Sequence, residues 1–366
     1  MKITKIEVIP VEIPLHVTYE TAEGTMPAQR AIVKIHTEEG IVGLGESMPF
    51  VWYKEPVETV VINIRKYFSP VLIGSDPFDI ETNMGKMDKV MPGQPSSKNA
   101  VATALYDIMG KALNVPIYKL IGGYCNEKMP ATGSIGFGTP EKVAAEALQW
   151  TERGVKAFKI KIGRDGKHGS EEDVKAVEAI RKAVGDNISL RVDANETYAT
   201  RVGILRQMEE YDLDLIEQPA PARDLDGMRR IAEALDTPVL ADQSIFGLYD
   251  AADVIKKNAA DVIMVKNYVV GGFYRTKQLL GLLKSMHVAN YIEGGSETGV
   301  GTAATLQLAA SISQVDYWGC LNGPLLLSED LIQEPLEFNN GCWTVPTKPG
   351  LGVELDEEKL RSLTIK

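Results

Sequence analysis

Cysteine is scarce in this chain. There are 3 in 366 residues, Cys125, Cys320 and Cys342, far apart and odd in number. That argues against a disulfide framework and against any thiolate metal-ligand spacing, and it suggests free thiols in a reducing compartment. An excess of positive charge is missing too. With 39 Lys and Arg against 50 Asp and Glu, the net charge is −11, and phosphate binding needs a basic stripe, so nucleic acid is not the expected partner. No stretch approaches the ~20 consecutive apolar residues of a membrane span. The opening MKITKIEVIPVEIPL carries Glu7, Glu12 and two prolines and so lacks the unbroken apolar core of a signal peptide. Low-complexity segments are absent as well. A cytoplasmic enzyme is the expectation.

What is present is ordinary globular material, 44% hydrophobic and 24% charged. The length suits a barrel of roughly 200–250 residues plus a second domain. Residues 1–50 read as strands: Ile9, Val11 and Ile13 alternate, residues 30–36 form an apolar run, and Glu38-Glu39-Gly40 is a turn before Ile41 to Glu46. The polar stretch Thr18 to Ala28 reads as a mobile loop. Residues 55–119 turn helical, with an alanine-rich centre at 99–105. From about Met129 strand-like and helix-like runs alternate. Candidate strands lie at 130–135, 157–162, 188–194, 213–217, 238–242, 262–266, 288–293 and 315–320, enough to close a barrel without a sheet edge. The fold class expected is α/β, a (β/α) barrel (126–321) with an α+β capping domain at 1–125. The segment 322–366 is too short for a domain and is expected to fold back onto that cap.

Polar groups recur at the ends of these apolar runs. They are Lys159-Ile160-Lys161, Asp193-Ala194-Asn195, Glu217-Gln218-Pro219, Asp242-Gln243-Ser244 and Lys266. Asp193, Glu217, Asp242 and Lys266 follow one another at 24, 25 and 24 residues, the period of successive βα units. Ends of consecutive parallel strands face one mouth, the C-terminal face, where barrel active sites sit.

A carboxylate at a strand end can simply cap the next helix. Three that converge on one mouth would repel one another unless an ion neutralised them. An all-oxygen set of Asp193, Glu217 and Asp242, without His or Cys, selects a hard cation, Mg²⁺ or Mn²⁺. Lys159 and Lys161, two apart on a strand, face the same side. The plainer alternative is two surface lysines at a frayed strand end. Clustered cations and partial burial lower a lysine pKa and make the amine usable as a base. Lys266 would approach the same centre from the other side, an arrangement suited to removing a proton next to a carboxylate.

Lys-x-Lys, Asp-x-Asn, Glu-Gln-Pro, Asp-x-Ser and a lone Lys, in this order and spacing, resemble the enolase superfamily and within it the muconate lactonizing enzyme subgroup. The resemblance covers essentially the whole chain. It implies a modified TIM barrel, capped by the N-terminal region and completed by the C-terminal segment. Carried over by position, it implies Asp193, Glu217 and Asp242 as metal ligands. Lys161 and Lys266 would be the acid/base pair, with Lys159 orienting the carboxylate and tuning Lys161. Asn195 would neighbour the metal. One departure is visible: Gln243 follows Asp242 where the subgroup usually has Glu, and a neutral amide stabilises the Lys266 ammonium less.

The activity implied is a divalent-metal-dependent isomerase that abstracts the α-proton of a small carboxylate. Racemisation or epimerisation of an amino-acid derivative and muconate-type cycloisomerisation share this geometry. The alternatives are a lyase or dehydratase expelling a β-leaving group, such as an o-succinylbenzoate-synthase-like enzyme, and a non-catalytic binding barrel. The resemblance also implies a homo-oligomer.

Gly299 to Ala304 loosely matches a dinucleotide fingerprint but follows a late strand, not a first one. Its amides are expected to open a helix at the mouth, as a spot that could meet substrate. Glu293, Ser296 and Glu297 in the same stretch are candidate specificity residues. His287, six residues before Glu293, falls ~20 Å from the mouth at ~3.3 Å per residue and reads as a basal or core histidine. Phe50, Trp52 and Tyr53 lie where the family's cap covers the substrate, although ordinary cap packing would use the same residues.

Overall fold

The protein is described by a computed structural model covering residues 1–16, 20–21, 24–25, 28–50, 55–164 and 170–365. Near the N-terminus, Ile3–Glu12, Gln29–Thr37 and Val42–Ser47 form an antiparallel sheet in that order. The strand Gln29–Thr37 is rich in β-branched residues, and Ile32, Val33 and Ile35 are fully buried, as suits a central strand. The helix Pro95–Leu113 lies directly on Val42–Ser47. A Cβ at Gly43 would come within 2.1 Å of Ala104 O, and one at Gly45 within 1.9 Å of Ala100 O. Only glycine permits a helix backbone to approach a strand so closely. Two carboxylates fasten this helix: Glu55 accepts from the backbone N–H of Ser96 and Ser97 at its start, and Asp107 accepts from Leu44 N and Leu351 N. Through Asp107 the C-terminal segment is tied to the cap, as it also is by Glu12 N donating to Leu363 O.

Among the described residues an eight-stranded parallel sheet follows, in strictly sequential order. Its strands are Gly133–Ile135, Ala157–Lys161, Ser189–Asp193, Leu213–Glu217, Val239–Ala241, Val262–Lys266, Ala289–Glu293 and Tyr317–Trp318. The architecture is a modified TIM barrel with a separate capping sheet. Two expectations need correction. The run 130–135 is not one strand. Lys128–Pro130 pairs antiparallel with Cys342–Thr344, which pairs with Phe338–Asn339, and only Gly133–Ile135 enters the barrel. Pro130 has no N–H for a ladder, and the chain leaves that small sheet through the bond from Ala131 N to Gly341 O. Nor does a ladder close the barrel without an edge. The eighth strand is two residues long, and the seam to the first strand is bridged by Thr132 N to Gly319 O at 3.3 Å and Thr132 Oγ1 to Trp318 O at 2.7 Å.

Register decides where the site lies. Lys161 pairs with Asp193, Asp193 with Glu217, and Lys266 with Glu293, so these side chains share one layer at the C-terminal ends. One layer below, Arg191 sits over the rings of Tyr291 and Tyr317 at 5.2 and 5.7 Å. Leu215, Leu240, Val262 and Met264 pack with Tyr291 there, so the barrel has a filled floor. No helix among the described residues is long and apolar enough to cross a membrane.

Candidate active site

Across five adjacent strands the mouth presents Lys161, Asp193, Glu217, Asp242 and Lys266, with Glu293 beside Lys266 and Lys159 just inside. Alternation along the second strand turns Lys159 and Lys161 inward together. Every carboxylate in this layer meets an ammonium. Lys161 donates to Asp193 Oδ2 and, at 3.2 Å, to Asn195 Oδ1. Lys159 lies 3.2 Å from Glu217 and donates to both oxygens of Glu293 at 3.0 and 2.8 Å. Lys266 donates to Asp242 Oδ1 at 2.7 Å and lies 3.4 Å from Glu293. Asp193 also accepts from Asn195 N at 3.0 Å.

Four carboxylates face three ammoniums, all out of bulk water, and the imbalance sets the electrostatics. Burial pushes the Glu217 carboxyl well above its ordinary range, and the neighbouring Asp193, Glu293 and Asp242 charges push it further. Burial works against the charge of Lys159 as well, but Glu217 and Glu293 outweigh it and hold this lysine well above its usual value. At Lys159 the neighbouring carboxylates therefore act against the lowering expected of a buried lysine. Asp193 is held low by Lys161 and Lys159 despite its burial.

The donor chemistry fits a hard divalent cation: Asp193, Glu217 and Asp242 offer only oxygens, on three neighbouring strands, in a layer with surplus negative charge. Among the described residues, no three acidic, His or Cys side chains are yet gathered closely enough to enclose an ion. Each ligand candidate leans on a lysine instead.

The other sequence candidates divide. Asn195, Glu293 and Ser296 line the cavity. Glu293 is also engaged by Lys159 and by Cys320 N at 3.2 Å, so it braces a lysine from within the cavity lining. Glu297 and Gln243 are buried but stand outside the cavity lining. Glu297 Oε2 accepts from Gly295 N and supports the loop from behind. Trp52 and Tyr53 fall outside the described residues, as does most of Thr18 to Ala28, while Phe50 lines the cavity. His287 is an exposed residue at the end of Phe273–Met286, at the base of the seventh strand. The amides that open the helix Gly299–Ala310 do not face substrate. Gly301 N and Thr298 N donate to Glu46, and Gly299 N donates to Asp330. Two carboxylates close this end, contrary to the expectation.

Several contributors were missed. Gln218 Oε1 accepts from Asp242 N at 2.8 Å and from Ser244 N at 3.2 Å, holding the third carboxylate strand end in place. Its own backbone is left-handed, φ 38°, as is Asn195 at 40°, which costs energy and clusters at functional sites. Ser134 and Cys320 follow the same strand-end logic as the residues that were found. Met48 and Tyr268 carried no such signal.

The model of the mandelate racemase/muconate lactonizing enzyme N-terminal domain matches residues 3–122, and that of the enolase C-terminal domain-like family matches residues 142–359. The chain belongs to the muconate lactonizing enzyme subgroup of the enolase superfamily. Relatives that it matches include isomerases. An N-succinyl-L-Arg/Lys racemase of Bacillus cereus is 34% identical over 100% of this chain and 98% of its own length. Its crystal structure superposes with a TM-score of 0.94, covering 100% of this chain and 99% of that one. Muconate cycloisomerase 1 of Acinetobacter baylyi is 33% identical over 98% of each chain. A dipeptide epimerase of Enterococcus faecalis, solved with Mg and the dipeptide L-Leu-L-Tyr, is 31% identical with a TM-score of 0.90, over 97% of this chain and 100% of that one.

Proposed function

We propose that this member of the subgroup is a divalent-metal-dependent isomerase. It removes the α-proton of a small carboxylate and returns a proton to the opposite face, as a racemase or epimerase of an amino-acid derivative; muconate-type cycloisomerisation uses the same residues. The observation that carries this reading is the order Lys161, Asp193, Glu217, Asp242, Lys266 across five adjacent strands. A lysine stands at each end of a row of three carboxylates.

Asp193, Glu217 and Asp242 would hold Mg²⁺ or Mn²⁺, which when bound supplies charge stabilisation to the substrate carboxylate as its α-carbon loses a proton. The chain's own residues do the rest. Lys161 and Lys266 exchange the proton on either face. Lys159, pinned by Glu217 and Glu293 and held strongly cationic, serves as a fixed positive charge near the substrate carboxylate. Asn195 and Asp193 orient Lys161.

Proton NMR in D₂O with Mg²⁺ and a panel of N-succinyl and N-acetyl amino acids, dipeptides and cis,cis-muconate tests this. Loss of an α-proton signal without change of skeleton is the expected result. A new lactone signal assigns cycloisomerisation instead. A new alkene signal would replace this reading with elimination, and no change across the panel contradicts it.

A further inference from the structure

The loop after the seventh strand, Gly294-Gly295-Ser296, forms one wall of the cavity. Its glycines are there for close approach: a Cβ at Gly294 would come within 2.4 Å of Leu321 Cδ1, and one at Gly295 within 2.8 Å of Met48 Sδ. Two successive glycines also leave the backbone freer than any other pair, so something must hold the loop in shape.

That hold comes from the cap. Arg30, on the central strand of the capping sheet, is fully buried. Its Nε donates to Ser296 O at 3.0 Å, and its Nη2 donates to Ser296 O at 2.5 Å and to Ser296 Oγ at 2.8 Å. A buried guanidinium is normally matched by a bidentate carboxylate. Here Glu46 approaches Nε only to 3.9 Å and is turned to Thr298 and Gly301, Nη1 donates to Gln29 O at 2.6 Å, and Nε and Nη2 both reach the loop.

We propose that Arg30 is a positioning residue. It fixes the Gly294–Ser296 wall of the substrate cavity, so that the capping sheet as well as the barrel sets the fit of the substrate. This rests on the cavity being the substrate site proposed above. The side chain touches none of the proton-transfer lysines in the hydrogen bonds described, so its loss acts on fit more than on chemistry.

The test compares Arg30→Met, Arg30→Lys and Ser296→Ala with wild type by amide hydrogen exchange of peptides spanning 293–301, by melting temperature, and by KM and kcat on whichever substrate the panel identifies. Arg30→Met should speed exchange at Gly295 to Thr298 by about tenfold or more while barrel-strand peptides are unchanged. KM should rise about tenfold, with a smaller fall in kcat. Arg30→Lys, which keeps the charge but loses the fork, should fall between. Should Arg30→Met not fold, Arg30→Lys and Ser296→Ala read the same loop with smaller shifts. Exchange at 293–301 that matches wild type in all folded variants overturns the proposal, as does a loss confined to global melting. The exchange measurement stands even if no carboxylate is turned over, so failure of the proposed function is seen separately.

Discussion

Glu293 grips Lys159 with both carboxylate oxygens, at 3.0 and 2.8 Å, while its Oε1 lies 3.4 Å from Lys266. One buried carboxylate thus braces two of the three lysines. Replacing it by an amide, Glu293→Gln, leaves Lys159 with Glu217 and, at 3.9 Å, Asp193 as carboxylate partners and removes one negative charge beside Lys266. Small displacements of catalytic groups are expensive, so α-proton exchange should fall by about a hundredfold. Deuterium incorporation measured by NMR checks this, and a rate close to wild type would show that the brace is dispensable.

Glu217 is the middle carboxylate of the row and is raised by burial and by the charges of its neighbours. Glu217→Gln removes the donor that a cation would most relieve. Affinity for Mg²⁺ should drop by more than the ~10–100-fold typical of changes outside the ligand shell. Isothermal titration of the folded variant reads it directly, and an unchanged isotherm removes Glu217 from the ligand set.

Away from the catalytic layer, burial pushes the Glu46 carboxyl from 4.5 to about 7, although bonds from Thr298 and the charge of Arg30 pull it down. An acid with a raised folded pKa binds more protons folded than unfolded. Its contribution to stability is full below pH ~4.5 and is lost as pH rises to about 7. Chemical denaturation at pH 5 and pH 7.5 should show a smaller loss of stability with rising pH in Glu46→Gln than in wild type. The difference is on the order of a few kcal/mol. Equal slopes would mean that Glu46 is ionised normally.

Much of the barrel was legible because a parallel strand buried on both faces reads as an unbroken apolar run. Residues 262–266 show this, VIMVK, all buried, with the one charged residue at the end that meets the mouth. What was not legible depended on the partner of each group. Nothing local shows that Glu293 braces a lysine; that bond appears only when the barrel brings Lys159 to it. Pro130 marked the broken first strand, but the pairing of Lys128–Pro130 with Cys342–Thr344 joins segments more than 200 residues apart. The glycine-rich start of Gly299–Ala310 advertised free amides, and Glu46 and Asp330, both distant in sequence, close them. Gln218 was visible as a motif residue, yet its task of holding Asp242 appears only once the two strands are side by side.

The central claim is that Lys161 and Lys266 address opposite faces of one α-carbon. The most direct measurement is α-proton exchange in D₂O, followed separately for each enantiomer, in Lys161→Ala and Lys266→Ala with Mg²⁺ present. Neither variant should racemise. Each should still exchange the α-proton of one enantiomer, and the two variants should retain opposite enantiomers. Racemisation that survives both substitutions, or exchange of the same enantiomer in both variants, would contradict the two-lysine account.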